Sequence, residues 1–303
     1  MAQKFMVSIA ENLNVINKGI GAAFKDMDPK PVRSMVEKIV ASEPDWVDIN
    51  LGPARKNGAE LMPWVVNIVQ EVTDLPIVLD TSNIEAIEAG LKICKKPALI
   101  NSIMCRPERY EKMLPLVKQY NANFVALMWG PNGMARDANE RAELTTELLM
   151  EAQARGIPVE QAWIDPIITP VNIQQDQLME NLKFFEMLPD IVSAVQPGGV
   201  AKSTNGVSNV SNGNPEHLRP ILNQVYLCMI QRKGMYSTIV DAFDPVQMDL
   251  CKGKLPWFSD LVFGVMDGKT YDLNSLKKEE RDVVKTAKVI LGHSLFSASW
   301  LDL

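Results

Sequence analysis

Eleven polar side chains stand where apolar runs of the sequence end: Glu11, Asn12, Asn14, Asp48, Asn50, Asp80, Asn101, Asp165, Ser208, Asn209 and Asp241. They are carboxylates and carboxamides with almost nothing else. A carboxylate can accept from a ring N–H and an exocyclic amine together, and a carboxamide offers one donor and one acceptor to adjacent ring atoms. Such a set suits a flat, amide-rich heterocycle. The two histidines, His217 and His293, lie in unrelated contexts, and the four cysteines (Cys94, Cys105, Cys228, Cys251) are far apart with no paired spacing. No bound metal is expected from such donors, and the cysteines read as reduced, buried thiols. No Ser-His-Asp or Cys-His arrangement suggests a nucleophile. Lys202 is the one lysine near a run's end, a weak basis for Schiff-base chemistry. A lone Asp or Asn at such a place is most often a helix cap or a turn residue, which is the reading kept for Asp48 and Asp241. Asp80, Asn101 and Asp165 resist it, because they close three runs of one repeating pattern.

That pattern is clearest at Ile77-Val78-Leu79-Asp80-Thr81-Ser82-Asn83, an apolar run turning polar and then passing into a helix-like Ile84–Leu91 with Asn83 as N-cap. Eight such runs occur, over residues 4–10, 46–51, 77–80, 97–102, 124–129, 163–166, within 202–208, and 238–243. Helical patterns at 31–41, 59–73, 84–94, 107–120, 137–155, 172–188 and 216–233 separate them. The alternation predicts an α/β fold of the (β/α)8 TIM-barrel type, with chemistry on the carboxyl ends of the strands. Gly19-Ile20-Gly21 lacks the third glycine of a dinucleotide fingerprint and reads as loop, and Met128 and Trp129 read as wall packing. About sixty residues follow the eighth run, and residues 250–282 form an extra segment before a last helix near 283–290. Its Trp257-Phe258…Phe263 patch reads as a lid or subunit contact, or equally as a second layer outside the barrel. No linker composition separates this segment, so residues 1–303 are expected to form a single domain.

The 303 residues carry a net charge of −6, which argues against a nucleic-acid partner held through its phosphates. No apolar run is long enough to span a membrane, and no leader precedes the first run, so a cytoplasmic protein is expected.

Five ordered segments resemble a known family. Asp48-Ile49-Asn50-Leu51-Gly52-Pro53, Leu79-Asp80-Thr81-Ser82-Asn83 with its helix, Ile100-Asn101-Ser102, Ile164-Asp165-Pro166 and Gly206-Val207-Ser208-Asn209-Val210-Ser211 resemble the methyltetrahydrofolate:corrinoid protein methyltransferases. These are pterin-binding barrels related to the folate domain of cobalamin-dependent methionine synthase. The resemblance covers roughly residues 5–245 and returns in the last helix. It implies that Asp80, Asn101 and Asp165 hold the pterin ring and that Asn209 hydrogen-bonds near N5, the atom carrying the methyl group. Glu11, Ser208 and Asn212 would lie around the same pocket. The implied substrate is tetrahydrofolate or 5-methyltetrahydrofolate, and the implied partner is a corrinoid (cobalamin) protein docking over the barrel mouth. A homodimer is expected as well.

The sequence departs from members that serve a corrinoid/iron–sulfur protein. Glu11-Asn12-Leu13-Asn14 stands where Glu-Arg-x-Asn is common, Trp129-Gly130 ends the fifth run, and extra residues precede Arg219 and follow Asp249. These departures favour methylcorrinoid-to-tetrahydrofolate transfer in a demethylation pathway over methyl donation to a corrinoid/iron–sulfur protein in acetyl-CoA synthesis. A condensing enzyme resembling dihydropteroate synthase would need cations to hold a pyrophosphate, for which Lys202 is the candidate. A non-catalytic pterin-binding scaffold is the remaining alternative.

Overall fold

The computed structural model describes residues 6–54, 56–200 and 202–302. Eight parallel strands, β1 (Val7–Asn14), β2 (Trp46–Gly52), β3 (Ile77–Thr81), β4 (Leu99–Met104), β5 (Asn123–Leu127), β6 (Ala162–Asp165), β7 (Lys202–Ser203) and β8 (Ser237–Val240), form one sheet in the order β8-β1-β2-β3-β4-β5-β6-β7. The ring is drawn shut between β7 and β8. Gly206 bridges Ile239, the Ile239 N–H donates to the Asn205 carbonyl at 2.7 Å, and the Ser237 hydroxyl donates to the Ser203 carbonyl at 2.9 Å. Helices α1 (Lys18–Asp26), α2 (Pro29–Ala41), α3 (Gly58–Val72), α4 (Ile84–Leu91), α5 (Pro107–Gln119), α6 (Ala138–Ala154), α7 (Gln175–Val195) and α8 (Arg219–Arg232) fill the connections. This is a (β/α)8 barrel, as the alternation predicts. No helix among the described residues is long and apolar enough to cross a membrane.

Strand alternation sorts the side chains into an inner and an outer set. Val47, Ile49, Leu79, Ile100, Phe124, Ala126 and Ile164 face outward into a core shared with the helices. Ile9, Val78, Leu99, Val125, Trp163 and Ile239 form a separate apolar layer inside the barrel, with Trp46 and Tyr236 against it. Trp163 stands edge-on to both Trp46 and Tyr236, with ring centroids 5.2 and 5.1 Å away. Lys202 places its ammonium 5.8 and 5.5 Å from the centroids of Trp163 and Tyr236. This aromatic plug closes the amino-terminal end of the barrel and forms a floor. The next inward positions up the strands, two residues on, are Asp48, Asp80, Asn101 and Asp165.

Several expectations are corrected. Gly19-Ile20-Gly21 is helix, not loop: Asn17 caps α1 by accepting from the Gly19 and Ile20 N–H groups, and Ile20, Ala23 and Phe24 bury one face. A Cβ on Gly21 would fall 2.5 Å from the Val15 carbonyl oxygen, so glycine marks a close approach there. Strand β1 runs on through Asn14 with a bulge between Ala10 and Leu13, which places Glu11 and Asn12 within the strand. Lys4 lies outside the described residues. Strand β5 ends at Leu127. Met128 is buried as expected, but Trp129 is 38% exposed, on a small antiparallel hairpin of Trp129–Gly130 with Gly133–Met134. Helix α7 continues past Leu188 to Val195 with Pro189 inside it.

The extra segment folds as α9 (Pro245–Cys251) and α10 (Pro256–Met266) before α11 (Lys278–Ile290). Phe258, Val262 and Val265 are buried where α10 packs on α8 and α11. The Arg232 guanidinium lies 4.9 Å from the Phe263 ring centroid and pairs with Asp267 at 2.6 and 2.7 Å. Phe258 therefore packs in a second layer outside the barrel, while Trp257 of the same patch stays 42% exposed.

Trp163 is 1% exposed and anchors the floor. Replacing it by alanine should cost about 3–5 kcal/mol, the usual scale for a buried large aromatic. Chemical denaturation checks this; a loss under about 1 kcal/mol would mean that the plug is not a packed core element.

Candidate active site at the barrel mouth

The polar layer above the floor is organised around Asp80. Asn50, Asp80 and Asn101 are neighbours in register across β2, β3 and β4. The Asn50 carboxamide donates to Asp80 Oδ2 at 2.6 Å and that of Asn101 donates to the same oxygen at 3.2 Å. Asp80 Oδ1 takes no donor among the described residues. Asn50 is fixed in turn, because its Oδ1 accepts from the Gly52 N–H at 2.9 Å. Across the ring, Asp165 Oδ1 accepts from the Ile167 N–H at 2.8 Å. Arg141, wholly buried on α6, donates to the Pro166 carbonyl at 2.8 Å and to Gln177 at 3.0 Å, which puts a fixed cation behind Asp165. Free acceptor edges from Asp80, Asn101 and Asp165 thus lie half-buried in one layer above an apolar floor, an arrangement that suits a flat heterocycle with N–H donors.

A second group lines the opposite wall. The Ser208 hydroxyl donates to Glu11 Oε2 at 3.1 Å, tying the segment after β7 to β1. Asn12 donates to Asp241 Oδ1 at 2.6 Å and accepts from the Ala242 N–H at 2.9 Å, clasping β1 to β8. Asp241 also accepts from the Phe243 N–H at 2.9 Å, so the turn role expected for it holds. Residues Val207–Ser211 form one short 3-10 turn that presents Asn209 exposed beside Ser208. Asn212 follows it, also exposed.

A family model described as "Pterin binding enzyme" matches residues 17–241. The chain belongs to the pterin binding enzyme family. Among characterised relatives, the methylcorrinoid:tetrahydrofolate methyltransferase of Eubacterium limosum is 24% identical over 78% of this chain and 85% of its own length. The methionine synthase of Mycobacterium leprae is 27% identical over 65% of this chain, which spans only 17% of that much longer enzyme. Solved structures share the fold. The dihydropteroate synthase of Thermus thermophilus superposes with a TM-score of 0.60 at 20% identity, over 82% of this chain and 92% of that one. That of Xanthomonas albilineans, with 4-aminobenzoic acid, gives 0.59 at 15% identity, over 84% and 93%.

Within this pterin-binding barrel the carboxylates are electrostatically strained. Burial pushes Asp165 up to about 7, against the pull of the Ile167 N–H and the Arg141 charge. Burial likewise raises Glu11 to about 7, opposed by the Ser208 hydroxyl and Arg219 and reinforced by Asp241. Burial raises Asp80 too, opposed by the Asn50 bond. Asp48, which its residue type alone marks as a turn residue, sits instead inside the barrel at 1% exposure, and its Oδ1 has no hydrogen-bond partner. Burial, then the neighbouring Asp80 and Glu11 charges, raise it well above the usual carboxylate range. The sequence does carry a signal for this: Asp48 lies two residues after Trp46 on the same strand and so shares its inward face.

Lys202 is the other correction. It opens β7 in register with Trp163 and lines a groove with Pro97, Asn123 and Glu160, at the end of the barrel opposite the carboxylates. Among the described residues, no group of three or more His, Cys, Asp or Glu side chains is arranged to hold a metal ion.

Because the folded state holds a proton on Asp165 up to about 7 while the unfolded chain releases it near 4, this group's contribution to stability falls as pH rises through that window and is level above it. Asp165→Asn keeps the oxygen that accepts from Ile167 and should be more stable than wild type at pH 8, by at most roughly 4 kcal/mol, and so melt higher. The gap should close toward pH 4. Equal melting temperatures at both pH values would contradict the electrostatic account.

Proposed function

We propose that the protein is a methyltransferase that carries a methyl group from the cobalt of a corrinoid on a separate protein to N5 of tetrahydrofolate, working as one domain and as a homodimer. The observation that carries this reading is the set of free acceptor edges of Asp80, Asn101 and Asp165 in one layer inside the barrel. The similarity to a methylcorrinoid:tetrahydrofolate methyltransferase supports this direction. Methyl donation from methyltetrahydrofolate to a corrinoid/iron–sulfur protein is the same chemistry reversed.

In the forward direction the N5 lone pair attacks the methyl carbon. The cobalt–carbon pair stays on cobalt as Co(I), and N5 gives up its proton. In reverse, N5 must regain a proton or a hydrogen bond as its bond to the methyl carbon breaks, because a basic amine leaves poorly. The protein contributes orientation of the pterin and a hydrogen bond at N5, the role assigned to Asn209. Glu11 and Asp165, held near 7, can exchange a proton at neutral pH. Ile16, Trp129, Ile173 and Phe243, all exposed, stand on segments after β1, β5, β6 and β8. They give the rim an apolar character suited to a corrinoid protein docking over the mouth.

The dihydropteroate-synthase neighbours favour a second reading, a condensing enzyme. The position of Lys202 at the far end of the barrel weighs against it, since that cation cannot hold a pyrophosphate at the mouth.

Asp80→Ala should weaken tetrahydrofolate binding by about 2–4 kcal/mol, because it removes a half-buried acceptor and leaves the ligand's donors unpaired. Asn209→Ala should bind nearly as wild type yet transfer methyl at least ~10²-fold more slowly in a single turnover, since its bond strengthens as charge develops at N5. Calorimetry and single-turnover kinetics on the same preparations decide both. Wild-type affinity in the first variant, or wild-type speed in the second, would overturn the assignment concerned.

A further inference from the structure

Arg109 stands in the first turn of α5, where the positive end of the helix dipole disfavours a cation. Its guanidinium reaches back across two strand exits. Nη1 donates to the Ser82 carbonyl at 2.8 Å and Nη2 to the Ser102 carbonyl at 3.1 Å. Ser82 is two residues beyond Asp80, and Ser102 directly follows Asn101. Asp80 and Asn101 are themselves register partners joined by the 3.2 Å side-chain bond.

Among the described residues Arg109 makes no ion pair with a carboxylate. Both of its bonds go to main-chain oxygens, one on each neighbouring strand exit. A guanidinium presents its donors in a planar, rigid fork, so two carbonyls held by one fork are held at a set separation. A lysine carries a single nitrogen on a flexible stem and imposes no such spacing. An unpaired cation at this helix end would carry an electrostatic cost, and the two bonds offset it.

We propose that Arg109 is a positioning residue that fixes the spacing between the Asp80 and Asn101 edges and so sets affinity for the pterin without touching it. The inference rests on the pterin reading for its ligand, whereas the cross-link itself is testable without one. Arg141 does a comparable service for Asp165 from within the core, but it is wholly buried, and its substitution would confuse folding with positioning. Arg109 is half-buried and can be replaced with less disturbance.

The test compares wild type with Arg109→Met and Arg109→Lys. Amide hydrogen exchange is followed in ligand-free protein over residues 80–84 and 101–106, with residues 222–230 of α8 as the internal reference. Tetrahydrofolate affinity and the single-turnover rate at saturating tetrahydrofolate are measured alongside. Arg109→Met should exchange faster in both segments but not in the reference. It should bind tetrahydrofolate about tenfold more weakly, the scale of one lost bond to a charged group, and transfer at near wild-type speed once saturated. Arg109→Lys should fall between the two. Unchanged exchange at both strand exits in Arg109→Met overturns the cross-link, and unchanged affinity where wild type binds overturns its role in the site. If wild type itself fails to bind tetrahydrofolate, the pterin reading fails, while the exchange result still decides whether Arg109 ties the two strand exits.

Discussion

A carboxylate inside a barrel of parallel strands has lost water on every side but one, and its charge persists there only where something donates to it. Asp80 receives the Asn50 and Asn101 carboxamides, Asp165 receives a backbone N–H with a buried arginine behind it, and Glu11 receives the Ser208 hydroxyl. The two carboxamides are set by the barrel's register, whereas the N–H, the arginine and the hydroxyl come from the loops and the helix that follow the strands. The three groups are left short of full solvation, raised toward neutrality and turned toward the one open end. A ligand that brings its own N–H donors supplies what the protein withholds, and the unsatisfied charge becomes binding energy.

The apolar floor is what makes this electrostatic strain persist. Were the barrel open at its amino-terminal end, water would enter from below and relax the carboxylates. Trp46, Trp163 and Tyr236 fill that end, and the Lys202 ammonium lies over two of the rings. The barrel thus divides along its axis into a packed half that confers stability and a polar half that costs it. That division matches the general placement of chemistry at the carboxyl ends of barrel strands.

Much of this is legible in the sequence wherever a strand announces its own end. At residues 77–83 the change from apolar to polar, with Asn83 capping the next helix through the Ala86 N–H, is enough to mark Asp80 as an inward strand end. The same change marks Asn101 and Asp165. Legibility fails where position along a strand, rather than residue type, carries the meaning. Lys202 begins a two-residue strand and therefore lies at the opposite end of the barrel from a residue that ends one. Asp48 sits in mid-strand, where an isolated acid reads as a turn residue unless its alternation with Trp46 is followed. In α1 the glycines read as loop because the reason for Gly21 is spatial, the close passage of the helix past the Val15 carbonyl. The outer layer of α9 and α10 is ambiguous in sequence because an exposed apolar patch and a buried helix face have the same composition. Direct contacts between Arg109 or Arg141 and backbone carbonyls leave no mark in a single sequence.

Methyl transfer at cobalt is the chemistry on which the functional reading stands or falls. The most direct measurement mixes the purified protein with 5-methyltetrahydrofolate and free Co(I) cobalamin under strict exclusion of oxygen and follows the cobalt absorption spectrum. Protein-dependent loss of the Co(I) bands with growth of the methyl-Co(III) spectrum, and stoichiometric appearance of tetrahydrofolate, is the predicted result. A Co(I) spectrum that stays unchanged while the same preparation binds the pterin, or while it condenses a pterin pyrophosphate with 4-aminobenzoate, would contradict it.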